Sequence, residues 1–214
     1  MKPVDLMVFD FDGTLVNSGD DIAISVNYAL ESLGLPVKER KEILGFIGDG
    51  VQKLIQRSLE PGSSDRFTEA MEIFSNHYMQ HMLDTTTLCT SVREVLEHFN
   101  EKKKIIVTNK RLRFTVAMTD ALDITKYFEE IIGADSTPYR KPDPRLLLPL
   151  LEKHGADRER TVVIGDGVND IILAKETGVL SCALVNGLTD RESLLYLAPD
   201  YICETAWELT ALFV

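Results

Sequence analysis

The feature that most constrains the fold is an alternation of short apolar runs with helical segments in the second half of the chain. The apolar runs lie at residues 105–107, 131–132, 162–164, 179–185 and 201–202. Short β-branched runs separated by helices favour right-handed crossovers, which build a parallel sheet covered by helices on both faces. The pattern therefore predicts an α/β protein.

One further apolar run, Val4–Phe9, stands far from the others and ends in the acidic turn Asp10-Phe11-Asp12-Gly13-Thr14. The stretch from about Gly19 to Asp84 that follows has apolar residues at helical spacing and no convincing strand. We interpret this stretch as an insertion after the first strand of the sheet. The sequence thus predicts a Rossmann-like parallel-sheet core formed by residues 1–16 and 88–214, with an inserted helical cap domain formed by residues 17–87.

Charge and cysteine content restrict the partners and the compartment. The 214 residues include 34 acidic and 23 basic side chains, for a net charge of −11, which argues against a general binder of nucleic acid or anionic membranes. No run approaches the roughly 20 apolar residues that span a bilayer. Three widely spaced cysteines without a CxxC pair indicate reduced thiols and a cytoplasmic protein.

Polar and charged residues follow each of the first four predicted strands. In parallel sheets, ligands bind beyond the carboxyl ends of the strands, so these residues are expected to converge at one edge. They are Asp10 and Asp12, then Thr108, Asn109 and Lys110, then Arg140 and Lys141, and finally Asp166, Asn169 and Asp170.

This set of residues predicts phosphoryl-transfer chemistry. Clustered carboxylates repel one another, and an all-oxygen cluster without histidine or cysteine suits a hard cation such as Mg²⁺. Thr108 and Lys141 supply a hydrogen-bond donor and a positive charge for a phosphoryl group. One carboxylate of the first turn can attack phosphorus, and its neighbour two residues on can protonate the leaving oxygen. Any single motif has a simpler interpretation; Asp143-Pro144, for example, is a good helix start.

Four motifs carry a resemblance to a known family. They are Phe9-Asp10-Phe11-Asp12-Gly13-Thr14-Leu15-Val16, Val107-Thr108-Asn109-Lys110, Lys141-Pro142-Asp143-Pro144 and Gly165-Asp166-Gly167-Val168-Asn169-Asp170. With these four motifs in this order, the chain resembles the haloacid-dehalogenase-like hydrolase superfamily over nearly its whole length. The turn Ile47-Gly48-Asp49-Gly50 and the Thr-Asn-Lys triplet are similar to the phosphoglycolate-phosphatase-like branch.

The resemblance implies a role for each matching position. It implies that Asp10 is the nucleophile, that Asp12 is the general acid and base, and that Thr108 and Lys141 bind the phosphoryl group. Mg²⁺ would be held at Asp10, Asp166 and Asp12, the last through its backbone carbonyl, with Asp170 in support. The first strand would be central in the sheet, and the cap would close over the site. Residues predicted to contact the substrate are Asn109, Lys110, Gly48, Asp49 and Gly50.

The sequence leaves the reaction partly open. The favoured function is Mg-dependent hydrolysis of a small, phosphoglycolate-like phosphate monoester through an aspartyl-phosphate. Asn17, Arg111 and Thr90-Ser91 depart from the branch pattern, which weakens the case for phosphoglycolate itself. The alternatives are a pyrophosphatase or sugar phosphomutase of the same superfamily, and a phospho-accepting regulatory domain. The expected partner is a small phosphorylated metabolite, and the expected assembly is a monomer or a homodimer.

Overall fold

The computed structural model describes all 214 residues and contains one main sheet. Six parallel strands lie in the order β5-β4-β1-β6-β7-β8. Their bounds are β1 Leu6–Phe9, β4 Lys103–Val107, β5 Glu130–Ile132, β6 Thr161–Gly165, β7 Leu180–Leu184 and β8 Tyr201–Cys203. The prediction of an α/β fold with the first strand at the centre of a parallel sheet is confirmed.

Strand β1 is central because all four of its side chains are apolar and all are buried. Successive side chains of a strand point to opposite faces. Met7 and Phe9 accordingly join one hydrophobic cluster, which is shared with the helices of the first half of the chain. Leu6 and Val8 join a second cluster, against the helices that flank β6. A strand that is apolar on both faces is the sequence signature of a covered parallel sheet.

Helices cover both faces of the sheet. They are α1 Gly19–Ser32, α2 Arg40–Leu44, α3 Val51–Ser58, α4 Phe67–His81, α5 Val92–His98, α6 Leu112–Ala121, α7 Pro144–His154, α8 Val168–Thr177, α9 Arg191–Tyr196 and α10 Leu209–Leu212. The predicted start of α7 is confirmed, since the Asp143 side chain caps the helix by accepting a hydrogen bond from the Arg145 N–H and Pro144 occupies the first helical position. None of these helices has the length and apolar character needed to cross a bilayer.

A two-stranded antiparallel ribbon joins the helical segment 18–86 to the rest of the chain. It pairs β2 Val16–Asn17 with β3 Thr87–Leu88. The sequence does not predict this ribbon, because two residues are too short to show a strand periodicity. The ribbon straddles both predicted domain boundaries, and the division into two domains stays a prediction.

Candidate active site

The first acidic turn lies at the carboxyl end of the central strand. The Asp10 N–H donates to the Ile164 carbonyl at 2.9 Å, which continues the β1–β6 pairing by one residue and fixes the Asp10 backbone. The chain then turns back on itself, and Gly13 adopts a φ of +83° that favours glycine. Asp10 therefore lies at the edge of the sheet, on backbone that is held by the strand pairing.

Three carboxylates converge there, as predicted from their positions after the strands of a parallel sheet. One oxygen from each of Asp10, Asp166 and Asp170 lies within 4.8 Å of the others. Lys141 Nζ lies 2.7 Å from Asp10 Oδ1 and 2.6 Å from Asp170 Oδ1, so a single ammonium bridges two of them. Burial alone would lower the pKa of Lys141, but these carboxylates raise it above its usual value, and Lys141 remains a cation.

The carboxylates remain electrostatically crowded in spite of Lys141. Burial, and next the charge of Asp10, raise the pKa of Asp166 to about 7. The same two causes raise the pKa of Asp170, against the opposing effect of Lys141. When all three carboxylates are ionised, one ammonium leaves an excess of negative charge in a buried site, which a divalent cation would balance.

The donor set and the space both fit such a cation. Asp10 Oδ1 is buried and has no neutral hydrogen-bond donor; its close contact is the ion pair with the Lys141 ammonium at 2.7 Å. A Cβ added at Gly13 or Gly187 would lie 2.1 or 2.3 Å from Asp166 Oδ2, so only glycine lets the backbone approach this carboxylate. Oxygen ligands alone are the set that Mg²⁺ prefers.

Two interactions that the sequence analysis missed hold Asp166 in place. Thr14 Oγ1 donates to Asp166 Oδ1 at 2.7 Å, and the Leu188 N–H donates to Asp166 Oδ2 at 2.7 Å. Gly187 and Leu188 follow β7, so the rule that sites form beyond strand ends could have identified them. Thr14 stands within the first motif, but nothing in the sequence indicates its contact with Asp166.

Asp12 takes a position different from that of the cluster. Its carboxylate accepts hydrogen bonds from Ser18 Oγ at 2.5 Å and from Lys110 Nζ at 2.9 and 3.1 Å. The cluster thus contains Asp10, Asp166 and Asp170 but not the Asp12 side chain. Metal binding by the Asp12 backbone carbonyl, which the resemblance implies, stays a prediction.

The residues after β4 line the space beside Asp10. Thr108 is buried, and both Thr108 and Asn109 border a cavity that Asp10 and Asp12 also line. Asn109 also links separate parts of the chain: its amide nitrogen donates to the Gly48 and Lys141 carbonyls at 2.9 and 3.1 Å, and its oxygen accepts from the Lys141 N–H at 3.0 Å. Asn109 therefore fixes the backbone that carries Lys141.

The predicted cap turn reaches this edge of the sheet. Gly48 and Gly50 border the cavity, and a Cβ at Gly50 would lie 3.1 Å from the Asn109 carbonyl oxygen. Asp49 does not line this cavity, and its carboxylate accepts a hydrogen bond from Asn169 Nδ2 at 2.8 Å. Arg57 forms an ion pair with the same carboxylate. The turn is in place, while substrate contacts by its residues stay predictions.

Both acidic and apolar side chains line the cavity. Asp10, Asp12 and Thr108 are among the polar ones. The apolar side chains that line the cavity are Ile22, Ile47, Val51, Leu54, Phe74, Tyr78 and Phe114. Arg111 also lines it and forms no ion pair with an acidic side chain.

A family model described as haloacid dehalogenase-like hydrolase matches residues 7–184, which is most of the chain and includes all four motifs. The chain belongs to the haloacid dehalogenase-like hydrolase family. The acidic cluster lies within the matched residues, and the prediction of family and enzyme class is confirmed.

Similar proteins place this haloacid dehalogenase-like hydrolase in the phosphoglycolate-phosphatase-like branch. It is 31% identical to phosphoglycolate phosphatase of Vibrio parahaemolyticus, over 97% of this chain and 95% of that protein. It is 34% identical to phosphoglycolate phosphatase of Haemophilus influenzae, over 92% of both chains. The crystal structure of a predicted phosphoglycolate phosphatase from Haemophilus somnus superposes with a TM-score of 0.93 at 28% identity, over 98% of this chain and 97% of the other.

Proposed function

We propose that this hydrolase is a Mg²⁺-dependent phosphatase that acts on a small phosphate monoester through an aspartyl-phosphate at Asp10. The observation that carries the proposal is the position of Asp10. Its carboxylate borders the cavity, belongs to the cluster with Asp166 and Asp170, and lies 2.7 Å from the Lys141 ammonium. A carboxylate held in this way is available both to a cation and to phosphorus.

The reaction then has two steps. In the first, the Asp10 carboxylate attacks phosphorus and forms a P–O bond, while the bond from phosphorus to the leaving oxygen breaks and Asp12 donates a proton to that oxygen. In the second, Asp12 accepts a proton from a water molecule, whose oxygen attacks the same phosphorus. Inorganic phosphate leaves and the Asp10 carboxylate is restored.

The remaining site residues bind and orient the phosphoryl group. Asp10, Asp166 and Asp170 would hold Mg²⁺, whose charge stabilises the transferring phosphoryl group when bound. Lys141 adds a positive charge beside Asp10, and Thr108 offers a hydroxyl to a phosphoryl oxygen. The apolar walls of the cavity exclude water from the first step.

Arg111 favours a small substrate with a second negative charge, such as phosphoglycolate, which appears in the names of the relatives. Lys110 and Lys141 are both paired with carboxylates, which leaves Arg111 as the cavity cation without an acidic partner. The apolar lining disfavours pyrophosphate and sugar phosphates, which need many polar contacts. The helices over the cavity disfavour a regulatory phospho-acceptor, which has no use for them.

A phosphate-release screen in Mg²⁺ tests this function. We expect phosphoglycolate and ethyl phosphate to be hydrolysed and pyrophosphate and hexose phosphates to react at least about tenfold more slowly. Arg111→Met should raise KM for phosphoglycolate but not for ethyl phosphate, and Arg113→Met is the matched control. Failure to release phosphate from any monoester would contradict the proposal.

Compartment and assembly belong to the same proposal. The three free cysteines and the net charge of −11 support a cytoplasmic enzyme whose partner is a small metabolite and not nucleic acid or membrane. A monomer or homodimer remains our prediction, to be tested by light scattering.

A further inference from the structure

Tyr78 of α4 makes a contact that the sequence did not suggest. Its side chain is buried, and its hydroxyl oxygen accepts a hydrogen bond from Lys110 Nζ at 2.7 Å. Tyr78 lies in the helical segment 18–86, whereas Lys110 follows strand β4 of the sheet. The contact therefore joins two parts of the chain that meet at the cavity.

Lys110 is the link between Tyr78 and the predicted general acid. A lysine ammonium has three protons to donate. Two contacts go to Asp12, at 2.9 Å to Oδ1 and 3.1 Å to Oδ2, and the third goes to the Tyr78 hydroxyl. The polar contacts of Lys110 Nζ thus go to Asp12 and Tyr78, and through Asp12 they reach the predicted general acid. Direct contact of Lys110 with a substrate stays a prediction.

The Tyr78 ring is held on several sides. It stacks on Phe74 with ring centroids 5.4 Å apart and meets Phe114 edge-on at 5.2 Å. The Lys110 ammonium lies 4.6 Å from the ring centroid. Burial is the main cause that raises the pKa of Tyr78 to about 12, so the hydroxyl keeps its proton at neutral pH. The acceptor that Lys110 uses is thus fixed in position.

We propose that Tyr78 is a positioning residue that orients Asp12 for proton transfer by holding the Lys110 ammonium between them. This inference rests on the proposed phosphatase function. It gives the helical segment a part in the chemistry as well as in covering the cavity, because a displacement of α4 would remove one of the three partners of Lys110. Asp12 would then lose the orientation in which it faces the leaving oxygen.

Leaving groups of different basicity test this role. Phenyl phosphate and 4-nitrophenyl phosphate have similar size and shape, but nitrophenolate departs as an anion and needs little proton donation. The ratio kcat/KM reports the first irreversible step, in which the leaving group departs. For Tyr78→Phe, we expect kcat/KM on phenyl phosphate to fall about tenfold and on 4-nitrophenyl phosphate by less than about twofold.

Two controls separate positioning from a structural role. Tyr28→Phe removes another tyrosine hydroxyl of the same helical segment, on a ring that stacks against His77. It should leave kcat/KM unchanged on both substrates. In a Lys110→Met background, Tyr78→Phe should cause no further selective loss on phenyl phosphate, because the link through Lys110 is already broken. Melting temperatures of all variants report on folding.

The outcomes are distinct. A selective loss on phenyl phosphate that disappears in the Lys110→Met background supports the proposal. An equal loss on both substrates, or no loss on either, overturns it while the phosphatase function stands. Hydrolysis of neither substrate by the unaltered enzyme, together with a negative phosphate-release screen, overturns the proposed function and this inference with it.

Discussion

At the scale of single residues, the space around Asp166 is set by glycines. Gly187 follows β7, and a Cβ there would lie 2.2 Å from Asp166 Cβ and 2.3 Å from its Oδ2. The neighbouring Leu188 N–H donates to the same oxygen. The backbone after β7 can therefore hold the carboxylate only because residue 187 has no side chain.

We predict that Gly187→Ala weakens Mg²⁺ binding at least about tenfold and lowers the free energy of unfolding by about 1–3 kcal/mol, the usual cost of overpacking. Calorimetric titration with Mg²⁺ and urea denaturation measure the two effects. Gly45→Ala is the matched control, since its Cβ would lie 3.4 Å from the nearest atom, the Glu42 carbonyl oxygen. Affinity of the Gly187→Ala variant equal to that of the unaltered protein would show that this space does not serve the cation.

The sequence predicted the acids of the site better than their partners. Asp10, Asp166 and Asp170 were expected together because each follows a strand of one parallel sheet, and the structure brings their carboxylates together. The partners of Lys110 could not be predicted in the same way. The contact with Tyr78 joins residues 32 positions apart across two packed segments, and no local pattern encodes it.

At the scale of secondary-structure elements, the start of α1 is tied to the segment that returns to the sheet. The buried Asp21 carboxylate accepts hydrogen bonds from the backbone N–H and hydroxyl of both Thr85 and Thr86, with distances of 2.6–3.1 Å. This clamp lies beside the β2–β3 ribbon. Together they fix both ends of the helical segment at one place.

The same clamp predicts a pH dependence of stability. Burial acts to raise the pKa of Asp21, but the four donors outweigh it and hold the pKa below the ordinary value of 3.8. A carboxyl whose pKa is lower in the folded state stabilises it above the unfolded pKa, and this stabilisation is lost as the pH falls through the folded value. We predict that Asp21→Asn costs about 1–3 kcal/mol at pH 7 and progressively less below about pH 4.

Denaturation at neutral and acidic pH measures this difference. Asp20→Asn is the matched control, because its exposed carboxylate pairs only with Arg40, and it should change stability far less. A cost of Asp21→Asn that is constant or grows at acidic pH would contradict the role of the clamp.

The elements themselves could be predicted where they are long or apolar. Strand β1, Leu6–Phe9, lies within the apolar run Val4–Phe9, and helix α4, Phe67–His81, lies within the stretch whose apolar residues recur at helical spacing. The ribbon of β2 and β3 could not be predicted, since its pairing depends on residues 70 and 72 positions apart being brought together by the intervening helices.

At the scale of the whole molecule, the carboxylate cluster makes stability depend on the cation. Mg²⁺ that binds only the folded chain adds about 2.7 kcal/mol at a hundredfold excess over Kd. For a chain of this size we predict a rise in melting temperature of about 5–10 °C. EDTA should remove the rise and the phosphatase activity together, and added Mg²⁺ should restore both. In Asp166→Asn the rise should be absent; a full rise in that variant would place the cation elsewhere.

The central claim is that Asp10 carries the phosphoryl group during turnover. The most direct measurement is to quench the enzyme in acid during hydrolysis of phosphoglycolate with Mg²⁺, digest it, and determine by mass spectrometry which residue is phosphorylated. We predict one phosphoryl group on Asp10, and neither phosphorylation nor turnover in Asp10→Asn. Phosphate release without a phosphorylated Asp10 peptide, or near-normal turnover by Asp10→Asn, would contradict the account.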